Sequence, residues 1–219
     1  SANSELKLNK AFHPTLFLQN KELKKNTVPL NIHLNSQNHL VVISGPNAGG
    51  KSITLKTVGL LQTMLQSGLL VSVAENSVMS FFKHILIDIG DTQSIEHELS
   101  TYSARLKNMI AILKQVNSKT LVLMDEFGSG TDPELGGAMA EVVLEELVKS
   151  KTFGIITTHF PNVKLLANKL DGVLNGSMLF DLETLDPKYI LTVGEPGSSY
   201  TFEVAERVGF PKDLIERAK

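Results

Sequence analysis

The sequence predicts an α/β fold with a mostly parallel central sheet flanked by helices, and three observations carry that expectation. Four short β-branched apolar runs recur along the chain: LVVIS (40–44), HILIDI (84–89), TLVLMDE (120–126) and FGIITTH (153–159). Such runs suit strands buried on both faces of a parallel sheet. Helical stretches separate them, and that alternation is the mark of an α/β layer architecture. The first run also enters a glycine-rich loop that opens a helix, as happens at the ligand edge of open α/β sheets.

The elements follow in order. Residues 12–34, FHPTLFLQNKELKKNTVPLNIHL, alternate in short runs split by polar turns and predict a small N-terminal antiparallel sheet. Within them NKELKK (20–25) reads as a solvated hairpin tip, since its charges are mixed and no aromatic interleaves them. A strand over 40–44 leads to a helix over 51–66 closed by Gly68. A strand over 84–89 precedes a helix over about 101–116, and the strand ending at Glu126 precedes a helix over 133–149. Asp132 and Pro133 open that helix as N-cap and first-turn proline. After the 153–159 strand, VLNGSMLFDLE and KYILTVG predict a closing hairpin, and two short helices, about 199–208 and 211–219, finish the chain. The whole reads as one unit in three stretches: an antiparallel sub-sheet (1–38), a core (39–170) and a closing part (171–219). The opening SANSELKLNK has no initiator Met, so a piece of a longer protein is expected.

Bulk properties narrow the function. The 219 residues carry a formal net charge of -2 with a pI near 6.3. That leaves no global basic field of the kind a self-sufficient nucleic-acid binder carries. There is no cysteine, which excludes disulfides and thiolate metal sites and agrees with a reducing, cytoplasmic setting. No apolar run approaches the ~20 residues a membrane-crossing helix needs, so no membrane partner is expected.

Chemistry concentrates in a few stretches. Gly45, Pro46, Asn47, Ala48, Gly49, Gly50, Lys51 and Ser52 match G-x-x-x-x-G-K-[ST] at every fixed position. Glycines let successive N–H groups turn inward on a phosphate, and the following helix adds the positive end of its dipole. Lys51 then reaches the β- and γ-phosphates and the Ser52 hydroxyl ligates Mg²⁺; a plain strand-to-helix turn is the bland alternative. Asp125, at the carboxyl end of an apolar strand, suits the same Mg²⁺. Glu126 is placed to polarise water as a general base. His159 ends the IITTH strand, where it can sense the γ-phosphate or orient water; a structural strand-end histidine is the competing reading. Ser100 sits at an expected helix N-cap, which either satisfies its own amides or offers an anion site to another chain. The Phe and Met residues at 79–82, 109, 139 and 178 read as core filler, and Asp88 and Asp91, flanking a glycine at a strand end, as part of a coupling loop, with a metal site as the alternative.

Taken together, GPNAGGKS, IDIGDTQSIEHELSTYS, LVLMDEFGSGTDP and TTHF resemble, in this order, the ATPase domain of the MutS family. That family is a branch of the ABC-type ATPases, so the resemblance implies a P-loop NTPase head that binds ATP with Mg²⁺. The likeness runs from about Phe12-His13-Pro14 to GFPKDLIERAK. Within the family the bacterial paralogue without the mismatch-reading domain is the nearer match, because Gly128-Ser129-Gly130-Thr131-Asp132 stands where mismatch-repair members show G-R-G-T-S. The position of the family's adenine-stacking aromatic is here Thr27, followed by Val28, so an apolar or backbone contact to the base is expected. The resemblance further implies a homodimer paired head to tail around two ATP molecules. In it Ser100 and Thr101 act in trans on the partner's nucleotide, Gln93 couples the γ-phosphate to neighbouring domains, Ile53 extends the nucleotide-binding run, and residues 128–132 cross the seam beside His159. The load implied is branched DNA or stalled ribosomes, gripped through domains outside this chain, as would be any Smr-type nuclease.

Three other readings compete. A transporter motor or chromosome-structuring head would carry a glycine-rich signature in place of Leu99-Ser100-Thr101. A P-loop small-molecule kinase would need an arginine-bearing lid, and Arg is confined to 105, 207 and 217. A non-hydrolysing nucleotide-dependent module would not need Lys51, Asp125, Glu126 and His159 together.

Overall fold

A computed structural model describes residues 4–46, 49–90, 98–181, 184, 186–194, 205–206 and 208–218, with backbone alone at 98–102, 104 and 105. Its centre is a six-stranded sheet ordered β5-β6-β7-β3-β8-β9. The strands are β3 (Leu40–Ser44), β5 (His84–Asp88), β6 (Thr120–Met124), β7 (Phe153–Thr157), β8 (Val173–Phe180) and β9 (Pro187–Val193). All pairings are parallel except β8 with β9. Every residue of β3, β6 and β7 is buried, which is why these strands read as unbroken apolar runs rather than alternating ones.

The two faces divide by period-two alternation. Val41, Ile43, Leu121, Leu123 and Ile155 face a layer that contains Leu55, Val58 and Leu61 of α2 (Lys51–Gln66). Leu40, Val42, Val122, Met124 and Ile156 face the other, with Val143, Leu144 and Leu147 of α4 (Pro133–Lys149) and Val163 of α5 (Pro161–Ala167). A three-stranded antiparallel sheet, β2-β1-β4, closes over the α2 side. It consists of β1 (Leu6–Ala11), β2 (Leu30–Leu34) and β4 (Val78–Met79).

The helices over 51–66 and 133–149 stand at their expected bounds. Asp132 caps the second, its Oδ1 accepting from the N–H groups of Glu134 (3.0 Å) and Leu135 (3.2 Å). The last helix, α6, spans Lys212–Ala218, while most of the helix expected over 199–208 lies outside the described residues.

Three expectations are corrected, while the closing hairpin expected after residue 170 is present as the antiparallel pair β8–β9 at the edge of the main sheet. NKELKK is no hairpin tip: α1 (Pro14–Glu22) runs into it, opened by Pro14 and by His13, whose Nδ1 accepts from the Leu16 N–H at 3.4 Å. α1 buries no residue, so it lacks the apolar periodicity by which a helix announces itself in sequence. The described part of α3, Glu98–Leu113, has Ser100 within the helix rather than at an N-cap; Glu98 and Leu99 are good helix formers and carry the helix through it. Finally, Phe82, Met109 and Met178 are core residues, but Phe81 and Met139 stand exposed.

Candidate functional site

The carboxyl ends of β3, β6 and β7 meet at one edge of the sheet, with β7 between the other two. Strands pair about 4.8 Å apart, so the ends of β3 and β6 lie about 10 Å from each other. β3 delivers Gly45 at φ 122°, and Gly50 at φ 98° is the N-cap of α2. Both angles lie where side-chain-bearing residues rarely go, so these two glycines shape the loop. Gly49 packs close against β8, where an added Cβ would lie 3.0 Å from Met178 Cβ, tighter than most such contacts.

Lys51 opens α2 and is 3% exposed. Its ammonium donates to the carbonyls of Gly45 (2.6 Å) and Pro46 (3.0 Å). Burial pulls its pKa below the ordinary lysine value; the carboxylates of Glu126 and Asp125 oppose that fall, and Lys164 adds to it. The loop thus concentrates positive charge at a helix N-terminus, the arrangement that receives an anion.

Across β7, Asp125 and Glu126 are pinned by one hydroxyl. Thr157 Oγ1 donates to Asp125 Oδ1 at 2.5 Å and accepts from the Glu126 N–H at 2.8 Å. The Thr157 carbonyl accepts from the Phe127 N–H, and the Asp125 N–H donates to the Asp88 carbonyl. Glu126 has φ 49°, a left-handed backbone that a side-chain-bearing residue holds only where its surroundings enforce it. His159 is exposed two residues beyond β7, its ring 4.5 Å from that of buried Phe160.

The segment 128–132 is locked to α4 by a backbone approach. A Cβ on Gly128 would lie 2.7 Å from the Gly136 carbonyl oxygen, and one on Gly136 would lie 2.3 Å from that of Gly128. Only glycines allow this contact. Beside the start of α2, a cavity of about 490 Å³ is walled by His13, Asn20, Thr27, Val28, Ile53 and Tyr189, among others.

The structure therefore brings Gly45, Pro46, Gly49, Gly50, Lys51, Ser52 and Ile53 to one sheet edge with Asp125, Glu126 and His159, and sets Val28 in the adjoining cavity wall. Asn47, Ala48 and Gln93 lie outside the described residues, and the side chains of Ser100 and Thr101 are likewise not described. Thr157 and Tyr189 were missed by sequence reasoning. Thr157 carried a weak signal in the polar pair TT closing an apolar strand; Tyr189 carried none. Among the described residues no three His, Asp or Glu side chains gather into a metal cage. Mg²⁺ on a nucleotide needs only one or two protein oxygens beside the phosphates, which the Ser52 hydroxyl and Asp125 carboxylate fit. No helix among the described residues is long and apolar enough to cross a membrane.

Comparison with known proteins shows the family. The sequence profile of MutS domain V matches residues 41–219. Endonuclease MutS2 of Thermomicrobium roseum is 44% identical over 214 residues, covering 98% of this chain and 26% of that protein. Endonuclease MutS2 of Pediococcus pentosaceus is 43% identical over 219 residues, covering 100% of this chain and 27% of that protein. The putative endonuclease MutS2 of Bacillus subtilis is 44% identical over 214 residues, covering 98% and 26%. The chain thus spans about a quarter of the length of the curated relatives it matches. With a domain profile over most of its length and relatives aligned nearly end to end, the chain belongs to the MutS family, as its domain V.

Proposed function

We propose that this domain is a P-loop ATPase head of ABC type that binds ATP with Mg²⁺ and hydrolyses it to ADP and phosphate. The observation that carries the reading is the buried Lys51 ammonium, held on the Gly45 and Pro46 carbonyls at the start of α2, facing a carboxylate pair across one intervening strand. The loop amides and Lys51 bind the β- and γ-phosphates. The Ser52 hydroxyl and the Asp125 carboxylate would hold Mg²⁺, which would supply neutralisation of the phosphate charge. The interval of about 10 Å between β3 and β6 leaves room for a terminal phosphate and a water beyond it. Glu126, oriented through Thr157, takes the proton of that water, and His159 orients it from the end of β7.

The single unit 1–219 works as a homodimer in the longer protein. Ser100 and Thr101 at the start of α3 act on the partner's nucleotide, Gln93 couples the site to neighbouring domains, and Gly128, Ser129, Gly130, Thr131 and Asp132 cross the seam. ATP closes the pair and hydrolysis loosens it, moving a clamp on branched DNA or stalled ribosomes in the cytoplasm. The net charge of -2 assigns the grip on nucleic acid to domains outside this chain. The nuclease activity named in the relatives falls there too.

Nucleotide binding and turnover test this reading, with sedimentation in the presence of ATP. Lys51→Ala is expected to abolish ATP binding. Glu126→Gln is expected to keep binding, lower turnover about 10²- to 10⁴-fold and shift the chain toward dimer. Equal ATP affinity in Lys51→Ala and the parent would remove the assignment.

A further inference from the structure

Helix α3 meets the sheet through apolar packing and a polar tie. Among its described side chains Met109 and Ile112 are buried, and both join the core on the α4 side of the sheet. Apolar contact is non-directional, so by itself it lets a helix slide or turn on its bed. Direction comes from Asn108, whose Nδ2 donates to Asp88 Oδ1 at 3.0 Å. Asp88 ends β5 opposite Met124 of β6, and its backbone carbonyl accepts from the Asp125 N–H at 2.9 Å. One residue therefore holds α3 by its side chain and Asp125 by its main chain. Asn108 lies eight residues beyond Ser100, about 12 Å along the helix, so the tie sits two turns behind the end that carries Ser100 and Thr101. A space of about 20 Å³, scarcely more than one water needs, marks where the parts converge. Asp88 and Glu126 line it together with Leu106 and Met109 of α3 and with Gly128 and Ser129 of the 128–132 segment. In packing this close, a shift of α3 is felt by all of them. The Asn108–Asp88 bond itself is open to solvent, where water competes for both partners and the gain in overall stability is small. Its worth lies in alignment, since both ends belong to elements that converge on the site.

We propose that Asn108 is a positioning residue: through Asp88 it sets the place of α3 relative to Asp125, so that the helix bearing Ser100 and the strand end bearing the carboxylate pair keep one alignment. The inference rests on the ATPase reading above and deepens it.

Exchanging the two side chains tests it. Asn108→Asp removes the donor and sets a carboxylate against that of Asp88. Combined with Asp88→Asn, it restores a hydrogen bond with donor and acceptor reversed, at the parent's net charge. Two readouts apply: hydrogen exchange of the Asp125 amide in the chain free of nucleotide and metal, and turnover set against equilibrium ATP affinity. For Asn108→Asp, exchange at Asp125 is expected to quicken about 2- to 10-fold and turnover to fall by a similar factor, with ATP affinity and melting temperature unchanged. The double variant should regain parent-like exchange and turnover. Parent-like exchange or parent-like turnover in Asn108→Asp would overturn the positioning role, as would a double variant no better than the single one. Equal losses of ATP affinity and turnover with a lowered melting temperature would also overturn it, by showing a general weakening of the fold. A parent that binds no ATP, or binds it without hydrolysis, would remove the ATPase reading instead, and the exchange readout would then decide the alignment by itself.

Discussion

At the scale of single residues, the carboxylate pair depends on Thr157 as much as on its own strand. One hydroxyl donates to Asp125 and accepts from the backbone of Glu126, so it fixes both the orientation of the proposed metal ligand and the left-handed turn of the proposed base. Valine at 157 keeps the shape of the buried strand end and removes both bonds. Leaving a buried polar group unpaired costs about 1–3 kcal/mol. For Thr157→Val we therefore expect a lower melting temperature and a turnover loss larger than any loss in nucleotide affinity, with Thr157→Ser close to the parent. Steady-state turnover set against equilibrium binding checks this, and a variant that loses affinity while keeping its turnover would contradict it. Lys51, Asp125 and Glu126 were legible because each belongs to a contiguous motif whose spacing is its geometry. Thr157 was not, because its partners lie 31 and 32 residues away.

At the scale of elements, the joint between the 128–132 segment and α4 is made of glycine. Glycine inside a helix ordinarily costs about 1 kcal/mol against alanine, so alanine would improve Gly136 were propensity the deciding effect. Here the added Cβ would lie 2.3 Å from the Gly128 carbonyl oxygen, and backbone must move. Overpacking of this kind costs about 1–3 kcal/mol, which outweighs the propensity gain. Gly136→Ala is expected to lower the melting temperature by about 2–4 °C per kcal/mol of net loss. Gly137→Ala is the contrast: its Cβ would meet the Asn162 amide at 2.9 Å, the end of a side chain that can swing aside, so a smaller effect is expected. Thermal unfolding of the two variants side by side decides the matter, and equal melting temperatures would mean the segment adjusts freely. The strands of the core and the helices over 51–66 and 133–149 could be read from the chain for the same reason that they form, an apolar pattern with recognisable caps. α1 could not, since a helix that buries nothing leaves no pattern.

At the scale of the whole molecule, the end of the sheet remote from the site carries a buried titratable joint. His39 is 5% exposed, and its ring Nδ1 lies 2.8 Å from the Thr152 carbonyl, to which it donates. Burial chiefly, with Lys151 adding, lowers its pKa below the ordinary histidine value of 6.5, while the Thr152 hydrogen bond opposes the shift. The folded chain therefore resists a proton that the unfolded chain accepts. The stability held by neutral His39 is complete above pH 6.5 and is lost as the pH falls from there through the lowered folded pKa. Urea midpoints at pH 7.5 and 5.5 should show this decline in the parent and a smaller one in His39→Gln; equal declines would place the acid sensitivity elsewhere.

Taken by itself, the order of residues determined the layer architecture, the phosphate loop and the acidic pair, because burial pattern and motif spacing are local properties of a chain. Only the tertiary structure decided that β7 lies between the loop strand and the acidic strand, that the 171–193 hairpin completes the main sheet, and that Thr157 and Tyr189 reach the site. Those facts depend on which distant strands pair and in what register, and strand pairing leaves no trace in the sequence of either strand alone.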